Sequence, residues 1–214
     1  MLKTSAQRGA GARRIVAEQR LRVPADTNLL DPQFHGDKIY LLHSGQVQLS
    51  RQGEAILGYV GAGHFLGERV LLGEKNGVEV ARALTPVEMT VFNRSSLLDR
   101  IQDDRRFAER LLKDLVRRID AYEEIIREMV TEKVELRLAH VLNRLAPPSP
   151  ATGWVEIPFN PTNPELARMV GTTRWRISHF LNRFQRLGWL RRRNGLFVRR
   201  EGLHQFLRHA GQAA

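Results

Sequence analysis

The chain has 214 residues, 42% of them hydrophobic and 27% charged, with no cysteine and a formal net charge of +11. That length holds one large or two modest domains of ordinary globular composition. Without thiols there can be no disulfide, thiolate-bound zinc or cysteine-ligated iron–sulfur cluster, and no signal peptide or long apolar run is visible, so a cytoplasmic protein without a membrane partner is expected.

Taken in chain order, residues 1–13 read as a flexible basic tail. Residues 14–103 then read as a sensor-like β domain. From Val23 to Phe92 the chain is punctuated by glycine and alternates as strands do. Ile39 to Ser50 holds two runs about Ser44-Gly45, with Val47 and Leu49 inward and Gln46, Gln48 and Ser50 outward. Ala55 to Val60 is a further strand, followed by Gly61-Ala62-Gly63-His64-Phe65-Leu66-Gly67-Glu68, and two more runs cover Val78 to Leu84 and Val87 to Phe92. Short strands at this spacing predict an antiparallel barrel or jelly roll whose interior can house a small ligand.

Residues 104–130 carry the clearest periodicity. Ala108, Leu112, Leu115, Ile119, Tyr122, Ile126 and Met129 recur at alternating steps of four and three, the seam of a coiled coil. A homodimer helix is expected, with Leu112, Leu115, Ile119, Tyr122, Ile126 and Met129 at its interface and Arg118 pairing across chains with Glu123. The competing reading is a helix that lays the same stripe on its own barrel. Thr131 is expected to cap a following helix that buries Val134, Leu138, Val141, Leu142 and Leu145 and stops before Pro147-Pro148-Ser149-Pro150.

Residues 131–214 hold 14 Lys+Arg against 5 Asp+Glu, whereas residues 1–130 hold 20 against 18, so nearly all the positive excess lies in this last segment. A basic field confined in this way fits a polyanionic partner. Pro161 to Leu181 reads as two short helices broken at Gly171, with Leu166, Val170, Ile177, Phe180 and Leu181 as the apolar positions and Thr172 and Thr173 as capping hydroxyls. This is a helix-turn-helix. The first turn of its second helix would place Arg174, Trp175, Ser178 and His179 against base edges. Trp189 to Arg200 reads as two strands about Asn194-Gly195, a hairpin with five arginines next to a helix-turn-helix, as in the wing of a winged helix. Phosphate contacts are assigned to Thr162, Arg168, Thr172, Thr173, Arg176, Arg183, Arg191, Arg192, Arg193 and Asn194.

The fold class expected is therefore α+β: an N-terminal antiparallel β jelly roll, a long dimerisation helix and a C-terminal winged helix-turn-helix. This order of parts resembles the cyclic-AMP receptor protein/FNR family of bacterial transcription regulators, from about Val23 to Val198. Gly63-His64-Phe65-Leu66-Gly67-Glu68 is similar to the family's Gly-Asp-Phe-(Ile/Phe)-Gly-Glu turn, and Gly171-Thr172-Thr173-Arg174 to its Gly-(Cys/Ser/Thr)-(Ser/Thr)-Arg. Leu84-Thr85-Pro86-Val87-Glu88 resembles the nitrogen-control branch. The resemblance implies a cyclic-nucleotide-binding-like sensor domain and a homodimer on a two-fold symmetric site in double-stranded DNA, with RNA polymerase as a further partner.

Carrying the sensor residues across exposes departures. In cyclic-AMP receptors the Gly-Glu turn holds the ribose and an Arg-Ser pair about ten residues later holds the phosphate. Glu68 is present, but the aligned pair is Gly77-Val78, which offers an anion neither charge nor a bidentate fork. The same position 77 carries arginine in relatives that sense 2-oxoglutarate. The dimer-helix hydroxyls that meet adenine correspond to Tyr122 and Glu123. Glu68, Arg82, Tyr122 and Glu123 are thus the candidate effector-pocket residues, cyclic AMP is not the expected effector, and a ligand-free regulator stands beside a sensor of a non-nucleotide ligand. The histidines form no metal- or haem-binding cluster, with His64 the one position to test. No Gly-x-Ser-x-Gly, P-loop or metal-spaced His/Glu set appears, so no enzyme, cofactor or metal is expected. The alternative function is a cyclic-nucleotide-type sensing module acting through protein or RNA partners.

Overall fold

The computed structural model describes residues 19–30, 38–51, 55–74, 79–147 and 153–211. The basic tail at 1–13, His35, the pair Gly77-Val78 and Pro148 to Pro150 lie outside the described residues.

Strands β1 (Gln19–Val23), β2 (Lys38–Ser44), β3 (Val47–Arg51), β4 (Ala55–Val60), β5 (Phe65–Leu66), β6 (Glu79–Ala83) and β7 (Val87–Asn93) form two antiparallel sheets, in the orders β1-β7-β2-β5 and β4-β3-β6. The sheets enclose Leu29, Leu30, Tyr40, Leu42, Val47, Leu49, Val60, Leu66, Ala81, Ala83, Val87 and Met89. This is the jelly roll the alternation predicted, with its interior filled by side chains.

In β2 every residue of the run Ile39-Tyr40-Leu41-Leu42 is buried, because both faces of its sheet are covered. Tyr40 and Leu42 point into the roll. Ile39 and Leu41 face the other way, into a cluster with Phe65, Phe92, Leu97, Phe107 and Leu111 that seats helices α1 (Arg94–Asp103) and α2 (Arg105–Thr131). Gln48 and Ser50, expected to face water, are 6% and 7% exposed. β3 is the central strand of its sheet, and Gln48 is bonded both to the Tyr59 hydroxyl and to Glu165 of the C-terminal domain, which takes it out of solvent.

The 27 residues of α2 span about 40 Å at 1.5 Å per residue. Asp104 starts the helix by accepting from the backbone N–H groups of Arg106 and Phe107 at 3.0 and 3.1 Å, so its carboxylate caps the helix and is more than a solvated charge. Thr131 is the last residue of α2 and donates to the carbonyl of Arg127 at 2.8 Å. The next helix, α3 (Val134–Leu145), starts at Lys133 without a side-chain cap, because Thr131 is used up on the preceding turn.

The third apolar core joins α3 to β8 (Trp154–Ile157), α4 (Asn163–Val170), α5 (Arg174–Arg186), β9 (Leu190–Arg192), β10 (Leu196–Arg199) and α6 (Arg200–Gly211). The five apolar positions expected of α3 are all buried. β8 pairs with β10, and β10 with β9, so the hairpin around Asn194-Gly195 extends a three-stranded sheet. β1, α1, β8 and α6 were not foreseen from the sequence.

Gly45 turns the chain from one sheet of the roll to the other at φ 91°, where a Cβ would lie 2.5 Å from the Pro86 carbonyl oxygen. The backbone therefore requires glycine. Gly45→Ala should lose about 1–3 kcal/mol of stability, read as a lower urea midpoint at unchanged slope.

Candidate nucleic-acid interface and sensor pocket

The helix-turn-helix is built on two capped helices. Thr162 caps α4 by accepting from the Glu165 N–H at 3.3 Å, while its own N–H donates to the Glu165 carboxylate at 2.7 Å. Gly171 ends α4 at φ 66°, the left-handed conformation the turn demands, and Thr173 caps α5 by accepting from the Arg176 N–H at 3.4 Å. Thr172 is half-buried and is not the cap.

Ile177, Leu181 and Phe184 point α5 into the core, which turns Arg174, Trp175, Arg176 and His179 outward. Arg174 and Arg176 make no ion pair with any described residue. Trp175 is 74% exposed and stacks on His179, the ring centroids 5.9 Å apart and the planes 19° from parallel.

Several of the assigned residues are already engaged. Ser178 donates to the Arg174 carbonyl at 3.1 Å and accepts from Asn163 Nδ2 at 2.8 Å, so its hydroxyl locks the two helices together. Asn163 also accepts from Arg192 at 3.0 Å, which ties the wing to the start of α4. Arg183 pairs with Glu135 of α3 at 2.8 Å. Arg191 lies over the rings of Trp154 and Phe197 at 4.8 and 5.0 Å. Arg168 is exposed and near enough to Tyr59 and Glu165 to act on both electrostatically. Arg193 and Asn194, at φ 53°, are exposed at the wing tip. Asn163 was missed by sequence reasoning; its position just inside the Thr162 cap was the available signal.

The helix-turn-helix also touches the sensor. Tyr59 of β4 stacks on Phe159 with centroids 4.5 Å apart and accepts from Gln48 Nε2 at 3.2 Å. Burial pushes the Tyr59 phenol up to about 12, against the opposing pull of the Gln48 hydrogen bond.

In the sensor, the glycine turn is clamped to α2 at two points. His64 Nδ1 lies 2.7 Å from the Asp114 carboxylate, which also accepts from the Phe65 N–H at 3.0 Å. One helical turn on, Arg118 pairs with Glu68 at 2.7 Å and donates to the Phe65 carbonyl at 3.3 Å. Burial alone would lower the Arg118 pKa, but the bonds to Glu68 and Tyr122 outweigh it and raise it. Arg118 is thus taken by Glu68 within its own chain, so the cross-chain pair with Glu123 does not describe it. Equal four-residue spacings, His64 to Glu68 and Asp114 to Arg118, were the available sequence signal.

Of the pocket candidates, Glu68 and Tyr122 meet around Arg118, whereas Glu123 is exposed. Arg82 lies on the outer face of β6, its neighbours Ala81 and Ala83 being the ones buried in the roll, and donates to Asp26 at 3.0 Å. It does not point into the interior because strand alternation sends it the other way. Among the described residues no group of three or more His, Cys, Asp or Glu is placed to hold a metal ion.

The seam of α2 is divided between two surfaces. Leu115 packs against the cluster below it, and Met129 lies against the turn at Gly171, where a Cβ would meet its sulfur at 3.3 Å. Leu112, Ile119 and Ile126 are exposed, together with Val116 and Val130, which sequence reasoning left out. At the far end of α2, Glu128 is 2% exposed and accepts from Arg144 at 3.0 Å, with His140 3.4 Å from Glu128 and 3.2 Å from Glu132.

A β-roll sensor joined by a long helix to a winged helix-turn-helix with an arginine-rich outer face is the architecture of a ligand-responsive or ligand-free DNA-binding regulator. Residues 20–104 match the cyclic nucleotide-binding domain family and residues 136–206 the Crp-like helix-turn-helix domain family. The chain is 26% identical over 162 residues to the CRP-like cAMP-activated global transcriptional regulator of Mycobacterium tuberculosis, covering 73% of this chain and 72% of that one. Its fold is shared with a CRP/FNR-family regulator from Thermus thermophilus, with a TM-score of 0.71, 22% identity and coverage of 89% and 98% of the two chains. It is shared also with the c-di-GMP responsive global regulator CLP of Xanthomonas campestris, at a TM-score of 0.66, 24% identity and coverage of 86% and 94%. The chain belongs to the CRP/FNR family of transcription regulators and carries that family's DNA-binding helix-turn-helix.

Desolvation would raise the Asp114 pKa, but the hydrogen bonds from His64 and the Phe65 N–H outweigh it and hold the carboxyl below the ordinary range. A depressed carboxylate stabilises the fold fully above its unfolded value, about 3.9, and the contribution disappears as pH falls through the folded value. Asp114→Asn should therefore lower stability by about 1–3 kcal/mol at pH 7, with the gap to the parent narrowing below about pH 4 in urea midpoints.

Proposed function

We propose that the protein is a homodimeric regulator that binds a two-fold symmetric DNA site without cyclic AMP. The observation that carries this reading is the outward face of α5, where Arg174, Trp175, Arg176 and His179 project from a capped, core-anchored helix in a segment that holds the chain's positive excess. Arg174 reads guanine through O6 and N7 in each half-site, with half-sites about one helical turn apart. The exposed cations Arg176 and Arg193 meet phosphates. Arg192 holds the wing against Asn163 and so positions that contact.

Dimerisation is supported by the exposed stripe Leu112, Val116, Ile119, Ile126 and Val130, whose apolar area is large for a surface helix. Replacing Ile119 and Ile126 together by glutamate should give monomers in sedimentation and a parallel loss of DNA affinity, since each lost aliphatic contact costs about 2–5 kcal/mol and a buried charge adds to it.

Cyclic AMP control is disfavoured by the sequence pair Gly77-Val78, which offers a cyclic phosphate neither charge nor a bidentate fork. The nucleotide should change DNA affinity by less than about threefold, roughly 0.6 kcal/mol, in gel shifts and calorimetry. Tight nucleotide binding would show that another cation holds the phosphate. A cytoplasmic location and a contact with RNA polymerase complete the reading; no helix among the described residues is long and apolar enough to cross a membrane.

Selection of bound sites from random DNA with the ligand-free protein tests the whole reading. A palindromic motif with a G at fixed position is expected, and Arg174→Ala should cost about 1–3 kcal/mol on that motif and flatten preference at the G. Arg193→Ala should weaken binding to all sequences alike and reduce the salt slope by about one. Enrichment of no sequence, or a motif unchanged by Arg174→Ala, would sink it.

A further inference from the structure

Beside Arg174 the reading helix presents an aromatic surface that nothing in the protein covers among the described residues. Trp175 is 74% exposed, and an indole that size in water on a helix otherwise well packed calls for a reason. It has a ring partner on the same helix. His179, one turn on, leans back toward the helix N-terminus and stacks on it at 5.9 Å, while the edge contact between His179 and Phe180, at 5.3 Å and 77°, braces the imidazole from the core side. A ring that already stacks on a neighbour has less freedom left to lose on binding.

The chemistry of this surface narrows what it recognises. Indole has one N–H donor and no acceptor, so it cannot accept from the N4 amine of cytosine or the N6 amine of adenine. Its face is apolar. In the major groove only one apolar group is on offer, the C5-methyl of a pyrimidine, carried by thymine and by 5-methylcytosine.

We infer that the stacked pair Trp175–His179 is a methyl-reading element that selects a 5-methylpyrimidine next to the guanine read by Arg174. This rests on the DNA-binding reading above and adds a specificity determinant to it. Arg174 and Arg176, on either side of Trp175 and without an ion pair to any described residue, are placed to fix the helix on the DNA, so that the indole face meets the base edge at a set depth. His179 supports the ring and adds at most one hydrogen bond of its own.

The test alters the DNA first and needs no folded variant. In the motif selected by the full-length protein, each thymine is replaced in turn by deoxyuridine, which lacks only the methyl. Loss of one buried methyl should weaken binding about fourfold per half-site, at one thymine position close to the guanine. At that position a 5-methylcytosine pair should bind about fourfold better than an unmethylated cytosine pair, which separates the methyl from the O4 of thymine and shows whether methylated DNA is a target. With Trp175→Ala the ratios for both comparisons should fall to one while the preference for the guanine persists, and His179→Ala should reduce the ratios without abolishing them. If every deoxyuridine replacement stays within twofold in the parent protein, or the methyl effect survives in Trp175→Ala, the inference is wrong and the DNA-binding reading stands. If selection enriches no motif, both fall together.

Discussion

A carboxylate taken out of water stays ionised only where donors converge on it, and that requirement fixes where α2 lies. Asp114 is 4% exposed and is met by His64 and by the Phe65 N–H; Arg118, one turn further, reaches Glu68 and the Phe65 carbonyl. The glycine turn and the helix are thereby in register with one another. A rotation of α2 by one residue would withdraw both side chains from the turn and leave buried charges unmatched, a loss larger than any single apolar contact on the same face.

The rest of the architecture follows from that register. With Asp114 and Arg118 aimed at the roll, Leu111 and Leu115 also face inward, and the stripe containing Leu112, Val116, Ile119, Ile126 and Val130 is turned to solvent. The end of the helix is fixed by a second buried carboxylate, Glu128, which Arg144 of α3 satisfies with both its terminal nitrogens. Met129 next to it touches the turn at Gly171. The long helix is therefore in contact with the sensor's glycine turn near its middle and with the helix-turn-helix at its C-terminal end, and Tyr59 stacked on Phe159 adds a direct junction between the two domains.

The arginines of the helix-turn-helix and its hairpin divide into those tied to other described residues and those that are not. Arg183, Arg191 and Arg192 hold α3, the aromatic pair Trp154 and Phe197, and Asn163, respectively. Arg174, Arg176 and Arg193 project without such ties to described residues. The first group gives the wing and helices their shape, and the second gives the surface its chemistry.

The alternation of strands, the heptad steps of α2, the Gly171 turn and the Asn194-Gly195 hairpin were all legible in the sequence. Each is a local pattern in which side-chain period or a positive φ dictates residue type. The resemblance to the CRP/FNR family rested on the same short motifs. What the sequence left open were relations between distant positions: that Arg118 belongs to Glu68, that Arg82 points away from the interior toward Asp26, that Gln48 is buried under another domain, and that Ser178 is spent on Asn163. A buried charge needs a partner, but the sequence shows neither which charges are buried nor which acidic or polar group will be within hydrogen-bonding reach. Tertiary packing decides that, because desolvation and hydrogen-bond geometry select one pairing among many that composition allows.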